Sequence, residues 1–236
     1  MATSERTIDE PSEKNRGAPS ATDIYERIYA AILDNRLKPG AKLAEERLAE
    51  IFEVSRPRVR EVLARLAREQ IVELFPQRGA YVAKPSIERA RDVFEARRVI
   101  EPAVVRRLAR TMTPAKLERL REHTVLEDAA RQRNDKRAII RLAGEFHIVL
   151  SELAGNAEMA RAMRELATLS CLVIFLYSLP TTTCCRNDEH AEIIEAMGKG
   201  DTALAERLIL AHLDHIEESV KLETSDEIVD LEDVFK

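Results

Sequence analysis

Apolar positions recur at helical spacing along almost the whole chain, and one short region breaks to a strand pattern. Ile24, Ile28 and Ile32 step by four, the face of a helix capped by Thr22 or Asp23. It stops at Leu37-Lys38-Pro39-Gly40, where Pro and Gly suit a turn. Leu43, Leu48, Ile51 and Phe52 mark one face of a second, short helix, and Val59, Val62, Leu63 and Leu66 mark a third. The pattern breaks between them at Glu53-Val54. Ser55 is an N-cap candidate, because its hydroxyl can accept a hydrogen bond from a first-turn amide. Pro57 falls in the first turn, where a missing N–H costs little. Two short helices joined so tightly form a helix-turn-helix. Residues 71–75 and 80–83 are β-branched or aromatic runs around Pro76-Gln77-Arg78-Gly79, a hairpin with glycine supplying the difficult dihedral. A hairpin after a helix-turn-helix makes a winged helix.

From residue 87 onward no strand pattern occurs. Residues 87–110 form one long helix with Val93, Ile100, Val104 and Leu108 inward. Thr113-Pro114 restarts the chain as N-cap and first helical residue. Asn134 caps the next helix, which ends at Gly155, and Asn156 starts another. The second half of that helix (Leu169, Leu172, Val173, Phe175, Leu176) is apolar nearly all round, which means deep burial or a subunit interface. A loop at 179–186 and helices over 188–197 and 202–222 complete an all-α bundle of six or more helices. The chain therefore divides into a disordered tail (1–20), a winged helix-turn-helix (21–86), an all-α domain (87–222) and an acidic tail (223–236). The fold class is mainly α, with β structure confined to the wing.

Charge sharpens this picture. The formal net charge is −5, so the chain is no bulk polycation. Glu223, Asp226, Glu227, Asp230, Glu232 and Asp233 against Lys236 account for the whole deficit, which leaves room for a local basic patch. That patch is on the third helix: Arg56, Arg58, Arg60, Arg65 and Arg68 face only Glu61 and Glu69. At about 100° per residue, Arg56 and Arg60 lie on one flank of the buried stripe, with Arg58 and Arg65 on the other. Arginines near the start of such a helix can meet phosphates and guanine edges in a major groove. The alternative is a solvated face. Arg78, at the hairpin tip, is placed for a minor groove or a phosphate. No apolar run is long enough for a membrane span, and no signal-peptide core is present. Three cysteines without framework spacing fit a reducing cytoplasm.

Histidine is scarce, with only His123, His147, His190, His212 and His215. His123 lies among Arg121 and Glu122 and is expected to be exposed. His147, His190 and His212 sit on three helices; convergence would create a divalent-metal site with open positions, and otherwise they are hydrogen-bonded core residues. Cys184-Cys185 in a polar loop could sense oxidants or line a pocket mouth, although Arg186 is the only neighbouring group to activate a thiol.

The stretch LKPGAKLAEERLAEIFEVSRPRVREVLARLAREQIVELFPQRGAYVA resembles the DNA-binding domain of GntR-type transcriptional regulators, FadR-like branch. The resemblance implies that Arg56 and Arg60 contact operator DNA and that Gly79 sits at the wing tip. Ser55, Arg58 and Arg78 complete the expected DNA face. This chain has Pro57-Arg58 where the family commonly has Thr-Pro, and its usual basic position in the preceding helix falls on Glu46, with Arg47 beside it. Glu145-Phe146-His147, Ala154-Gly155-Asn156, Asp188-Glu189-His190 and Ala211-His212-Leu213 resemble the FCD ligand-binding domain of the same branch. In metal-binding members, the histidines matching His147, His190 and His212 act with an aspartate one turn before the first. Here that position is Ala143, which leaves a three-His site for zinc or nickel, recruits Glu101, Glu145 or His215, or abolishes the site. Arg97 matches an effector-holding arginine, suited to a small carboxylate over a metal; the alternative is an i,i+4 salt bridge to Glu101.

Together these features imply a transcriptional repressor that binds a palindromic operator as a homodimer and answers to a small organic acid. The other readings are a thiol-redox switch at Cys184 and Cys185, and a metal-dependent enzyme with a vestigial winged helix. The latter has no HExxH or comparable motif.

Overall fold

A computed structural model describes residues 18–178 and 188–222. The expected N-terminal tail to residue 17, the loop carrying Cys184-Cys185 and the acidic tail from 223 lie outside the described residues.

Helix α1 (Ala21–Leu33) starts earlier than Thr22 or Asp23 would have it. Ser20 is the N-cap, with its hydroxyl accepting from the Asp23 amide at 3.1 Å while the Asp23 carboxylate accepts from the Ser20 amide at 3.0 Å. Ile24, Ile28 and Ile32 are buried as the spacing predicts, together with Tyr25, Tyr29 and Leu33. Leu43 does not open the second helix. It belongs to a short strand β1 (Lys42–Leu43), ahead of α2 (Glu45–Phe52). Ile51 is 54% exposed, because only Ala49 and Phe52 of this short helix turn inward. Glu53 then adopts φ 55° and makes the turn into α3 (Arg56–Arg68), which buries Val59, Val62, Leu63 and Leu66 as expected. Ser55 occupies the N-cap position, but its side chain makes no capping bond. Pro57 has removed one amide it could have met, and the Arg58 amide bonds instead to the Ser55 carbonyl at 3.1 Å.

Strands β2 (Val72–Phe75) and β3 (Gly79–Val82) form the predicted hairpin, pairing Val72 with Val82 and Phe75 with Gly79. Gly79 has φ 93°, a region that excludes most side chains. Strand β1 joins the other edge of β3, so the wing is three-stranded in the order β1-β3-β2.

The bundle comprises α4 (Ile87–Arg110), α5 (Pro114–Gln132), α6 (Lys136–Leu153), α7 (Ala157–Tyr177), α8 (Glu189–Gly198) and α9 (Thr202–Glu218). Thr113 caps α5 and Asn156 caps α7 as the sequence suggests. Asp135 rather than Asn134 caps α6, Asn134 being left-handed at φ 53°. Gly155 is left-handed at φ 73°, as expected of a residue that ends a helix. The apolar half of α7 is deeply buried: Leu169, Cys171 and Leu172 share one core with the winged helix, while Val173 and Ile174 pack with Phe94 and Ile216. A buried hydrogen bond of 2.8 Å between the Tyr29 hydroxyl and Thr168 Oγ1 crosses the same seam. Among the described residues no helix is long and apolar enough to cross a membrane.

Candidate functional site

Helices α6, α8 and α9 bring His147, His190 and His212 to one buried point, with one ligand atom from each lying within 4.8 Å of the others. His212 Nε2 is 3.2 Å from His147 Nε2 and 3.1 Å from His190 Nε2. Each ring is held from behind by a carboxylate. His147 Nδ1 lies 2.7 Å from Glu101, His190 Nδ1 2.9 Å from Glu127, and His212 Nδ1 2.7 Å from Glu189. Where the carboxylate behind it is ionised, and so can only accept, Nδ1 donates and the Nε2 of that neutral ring is left a bare lone pair. Phe146 stacks on His190 with ring centroids 3.9 Å apart and fixes its plane.

Burial keeps the rings neutral. It holds His190 down to about 3, His212 to about 4, and His147 well below the ordinary imidazole range. Burial also pushes Glu127 up to about 7. Glu189 is affected by burial in the same sense, yet the bonds from His212 and His215 bring it to about 2. The donor set fits a divalent cation: metal–nitrogen bonds of about 2.0–2.1 Å place ligand nitrogens roughly 2.9–3.4 Å apart in octahedral to tetrahedral geometry.

The position one turn before His147 supplies no ligand, since Ala143 is packed in an apolar cluster. Neither Glu101 nor Glu145 replaces it: Glu101 stands behind His147, and Glu145 pairs with Arg141 at 3.0 Å. His215 shares Glu189 with His212 rather than joining the three rings. His123 is a correction, being buried rather than exposed, with Nε2 2.8 Å from the Leu142 carbonyl and 3.5 Å from Glu127. Glu127 and Ser170, and the place of Glu189 behind His212, were not evident from the sequence.

Arg97 is fully buried and does make the i,i+4 bridge, with Nε donating to Glu101 at 2.6 Å. Its Nη1 donates to Ser170 Oγ at 2.9 Å, and its Nη2 has no hydrogen-bond partner among the described residues. A buried guanidinium with a spare donor is a ready seat for an anion. Beside His212, a cavity of about 230 Å³ is lined by Glu189, Glu192, Leu208 and His215 among others.

The second candidate surface is α3 and the wing. Ser55, Arg56, Arg58 and Arg60 are exposed at the start of α3. Arg58 forms no ion pair among the described residues, whereas Arg47 pairs with Glu50 at 2.8 Å. Arg60 is 63% exposed but not free, because Glu45 holds it through two bonds of 3.1 and 2.8 Å. Arg56 lies 4.0 Å from the same carboxylate and 3.9 Å from Glu46. Arg65 leaves the outer face expected of it: it stacks 3.7 Å over Tyr25 and, with Arg68, lines the cleft toward α7. At the wing tip, Arg78 lies 5.6 Å over Phe75 and 5.9 Å over Tyr81, next to Gly79.

Comparison with known proteins identifies both parts. Residues 20–82 match the family described as bacterial regulatory proteins, gntR family, and residues 92–215 match the FCD domain. The chain is 30% identical over 213 residues to the HTH-type transcriptional repressor RspR of Escherichia coli (strain K12), covering 89% of this chain and 92% of that one. It is 28% identical over 209 residues to the HTH-type transcriptional regulator LutR of Bacillus subtilis (strain 168), covering 79% and 94%. Among solved structures, a putative transcriptional regulator GntR from Rhodococcus sp. RHA1 superposes with a TM-score of 0.72 at 26% identity, covering 84% of this chain and 95% of that one. E. coli McbR/YncC, at 17% identity and a TM-score of 0.73 over 84% and 95%, shares the fold. A winged helix with arginines exposed on its third helix, joined to a bundle that gathers three histidines, thus places this chain in the gntR family of bacterial regulatory proteins, as a DNA-binding transcriptional regulator with an FCD domain rather than an enzyme.

Proposed function

We propose that the protein is a repressor that binds a palindromic operator as a homodimer and is controlled by a small carboxylate held over a divalent metal. The DNA unit is residues 21–86 and the effector and dimerisation unit is 87–222, and the protein works in the cytoplasm, where its operator is. Arg56, Arg58 and Arg60 meet the major groove, with Ser55 and Arg47 at its margin and Arg78 and Gly79 on the wing. The repressor names of similar proteins support the direction of control.

The observation that carries the effector reading is the convergence of the Nε2 atoms of His147, His190 and His212, each ring backed by a carboxylate. Three lone pairs facing one another at this distance repel unless a cation stands among them. When bound, zinc or nickel supplies charge and open coordination positions for a carboxylate oxygen. Glu101, Glu127 and Glu189 orient the rings, and Arg97 offers Nη2 to the remaining charge of the ligand. Coupling of about 1–3 kcal/mol between this site and the winged helix changes operator affinity about 5- to 150-fold.

Chelator-stripped protein titrated calorimetrically with Zn²⁺ or Ni²⁺ tests the site. One equivalent binds to the wild type and none to His212→Ala; equal uptake by both refutes the assignment. A panel of small carboxylates then raises the melting temperature of metal-loaded wild type but not of Arg97→Gln. Charge reversal at Arg60 abolishes operator footprints while the dimer stays folded.

A further inference from the structure

We propose that Glu45 is a specificity-determining positioning residue: it clamps the side edge of the Arg60 guanidinium, leaves the end of the group presented to a base, and penalises contacts with phosphate. This rests on the reading that α3 enters a major groove.

The clamp is specific in its geometry. Arg60 Nε donates to one oxygen of Glu45 at 3.1 Å, and Nη2 donates to the other at 2.8 Å. A guanidinium has five N–H donors, and this pairing uses two on its side edge. The donors at the end, on Nη1 and Nη2, remain available while the group as a whole is 63% exposed. That end-on fork is suited to guanine O6 and N7.

The clamp also stands on rigid backbone. Glu45 is the first residue of α2, and Arg60 lies fifteen positions on in the second turn of α3, with the left-handed turn at Glu53 between them. Glu45 is the less exposed partner, at 25%. An exposed ion pair contributes little to folding, so stability gives a weak reason for placing an acid in this face. The cost to DNA binding is direct: a carboxylate beside Arg60 and 4.0 Å from Arg56 repels phosphate wherever the helix approaches a duplex. Only a ligand that rewards the preset fork offsets that repulsion. Random sequence, bound mainly through phosphates, does not. Arg58, on the other flank, has no such clamp and is the phosphate contact. The two flanks of α3 thus divide base reading from backbone anchoring.

The test uses full-length protein, an operator recovered by selection from random duplexes with the wild type, and a random-sequence duplex, with affinities read by fluorescence anisotropy over a range of salt. Glu45→Gln keeps the size and removes the charge. It binds the random duplex about tenfold tighter, with a salt slope steeper by about one phosphate contact, and the operator-to-random ratio falls about tenfold. Glu45→Asp keeps the charge but is too short for the two-point clamp; it loses operator affinity without gaining on random DNA. Both variants keep the wild-type melting temperature. A ratio unchanged within about twofold in Glu45→Gln overturns the proposal. Arg60→Ala separates the two layers: if it binds the operator as tightly as wild type, the groove reading itself has failed. If it loses the operator while the Glu45 variants behave as wild type, only the clamp has failed.

Discussion

His190 Nε2 and His212 Nε2 lie 3.1 Å apart, and each ring turns its Nδ1 to a carboxylate on its far side. With both carboxylates ionised, both ring protons sit on Nδ1 and two lone pairs face each other across the gap. The arrangement is costly in the metal-free protein, and its pH dependence has a definite sign. His190 and His212 have folded values of about 3 and 4 against 6.5 when free, and His147 is lowered too. A histidine kept neutral by folding binds fewer protons folded than unfolded, so its contribution is complete above pH 6.5 and is lost as pH falls toward the folded value. Glu127, raised from 4.5 to about 7, acts in the opposite sense between those values, but it is one group against three. Chelated protein therefore loses urea resistance steadily from pH 6.5 to 4.5, by about 1 kcal/mol or more per pH unit. Urea midpoints at pH 7, 6 and 5 check this; a flat profile means the rings are not buried neutral.

The carboxylates behind the rings matter as much as the rings. Glu127→Gln keeps an acceptor for His190 Nδ1 but loses the charge that makes the ring a better donor to a cation. Affinity for Zn²⁺, measured by competition with a chelating dye, falls about 10- to 100-fold, the usual cost of such a change behind a ligand. Glu145→Gln, on the same helix as His147 but paired with Arg141, leaves it unchanged.

Local pattern explains which of these features were legible. The stripe of Val59, Val62, Leu63 and Leu66 is complete within one helix, so α3 and its arginines could be read directly. His147 is flanked by apolar residues, which pointed it inward. Helix α5 defeated the same logic. Its buried stripe is Leu120, His123, Glu127 and Ala130, while Val125 and Leu126 are exposed, so polarity and burial run opposite to each other. The spacing was helical, but Glu127 is buried against His123 and Arg131 of its own helix and against His190, 63 residues later, and that last partner no local pattern announces. The short strand β1 and the Glu45 clamp are likewise nonlocal: each is defined by a partner whose position no periodicity fixes.

Close packing of α6 on α7 supplies a test independent of function. A Cβ added at Gly144 would lie 2.4 Å from Cys171 Sγ, with the Ala167 carbonyl at 3.6 Å. The sulfur sits in a core shared with the winged helix and has little room to retreat. Gly144→Ala destabilises by about 1–3 kcal/mol despite its better helix propensity. Adding Cys171→Ala recovers part of the loss, because it removes the atom that clashes. Urea denaturation of the two single variants and the double variant reads this directly, and no recovery in the double variant places the strain elsewhere.

The Tyr29–Thr168 bond is the last and most consequential contact to test, because it joins the two halves of the molecule two residues from Ser170, which holds Arg97. Both side chains are buried, and Thr168 Oγ1 also donates to the Arg164 carbonyl at 2.7 Å, so the tyrosine hydroxyl is the donor across the seam. Tyr29→Phe removes that donor and costs about 0.5–1.5 kcal/mol. Thr168→Val costs more, since it strands the tyrosine hydroxyl in a buried site, where desolvation alone is worth about 1–3 kcal/mol. The double variant leaves neither group unsatisfied at the seam and is less damaged than the sum of the singles, a coupling above about 0.5 kcal/mol. Additive losses in a double-mutant cycle show that the two hydroxyls do not meet. If they do meet, operator affinity in the double variant responds less than in wild type to Zn²⁺ loading of the histidine site, since α7 then carries one fewer link between Arg97 and the winged helix.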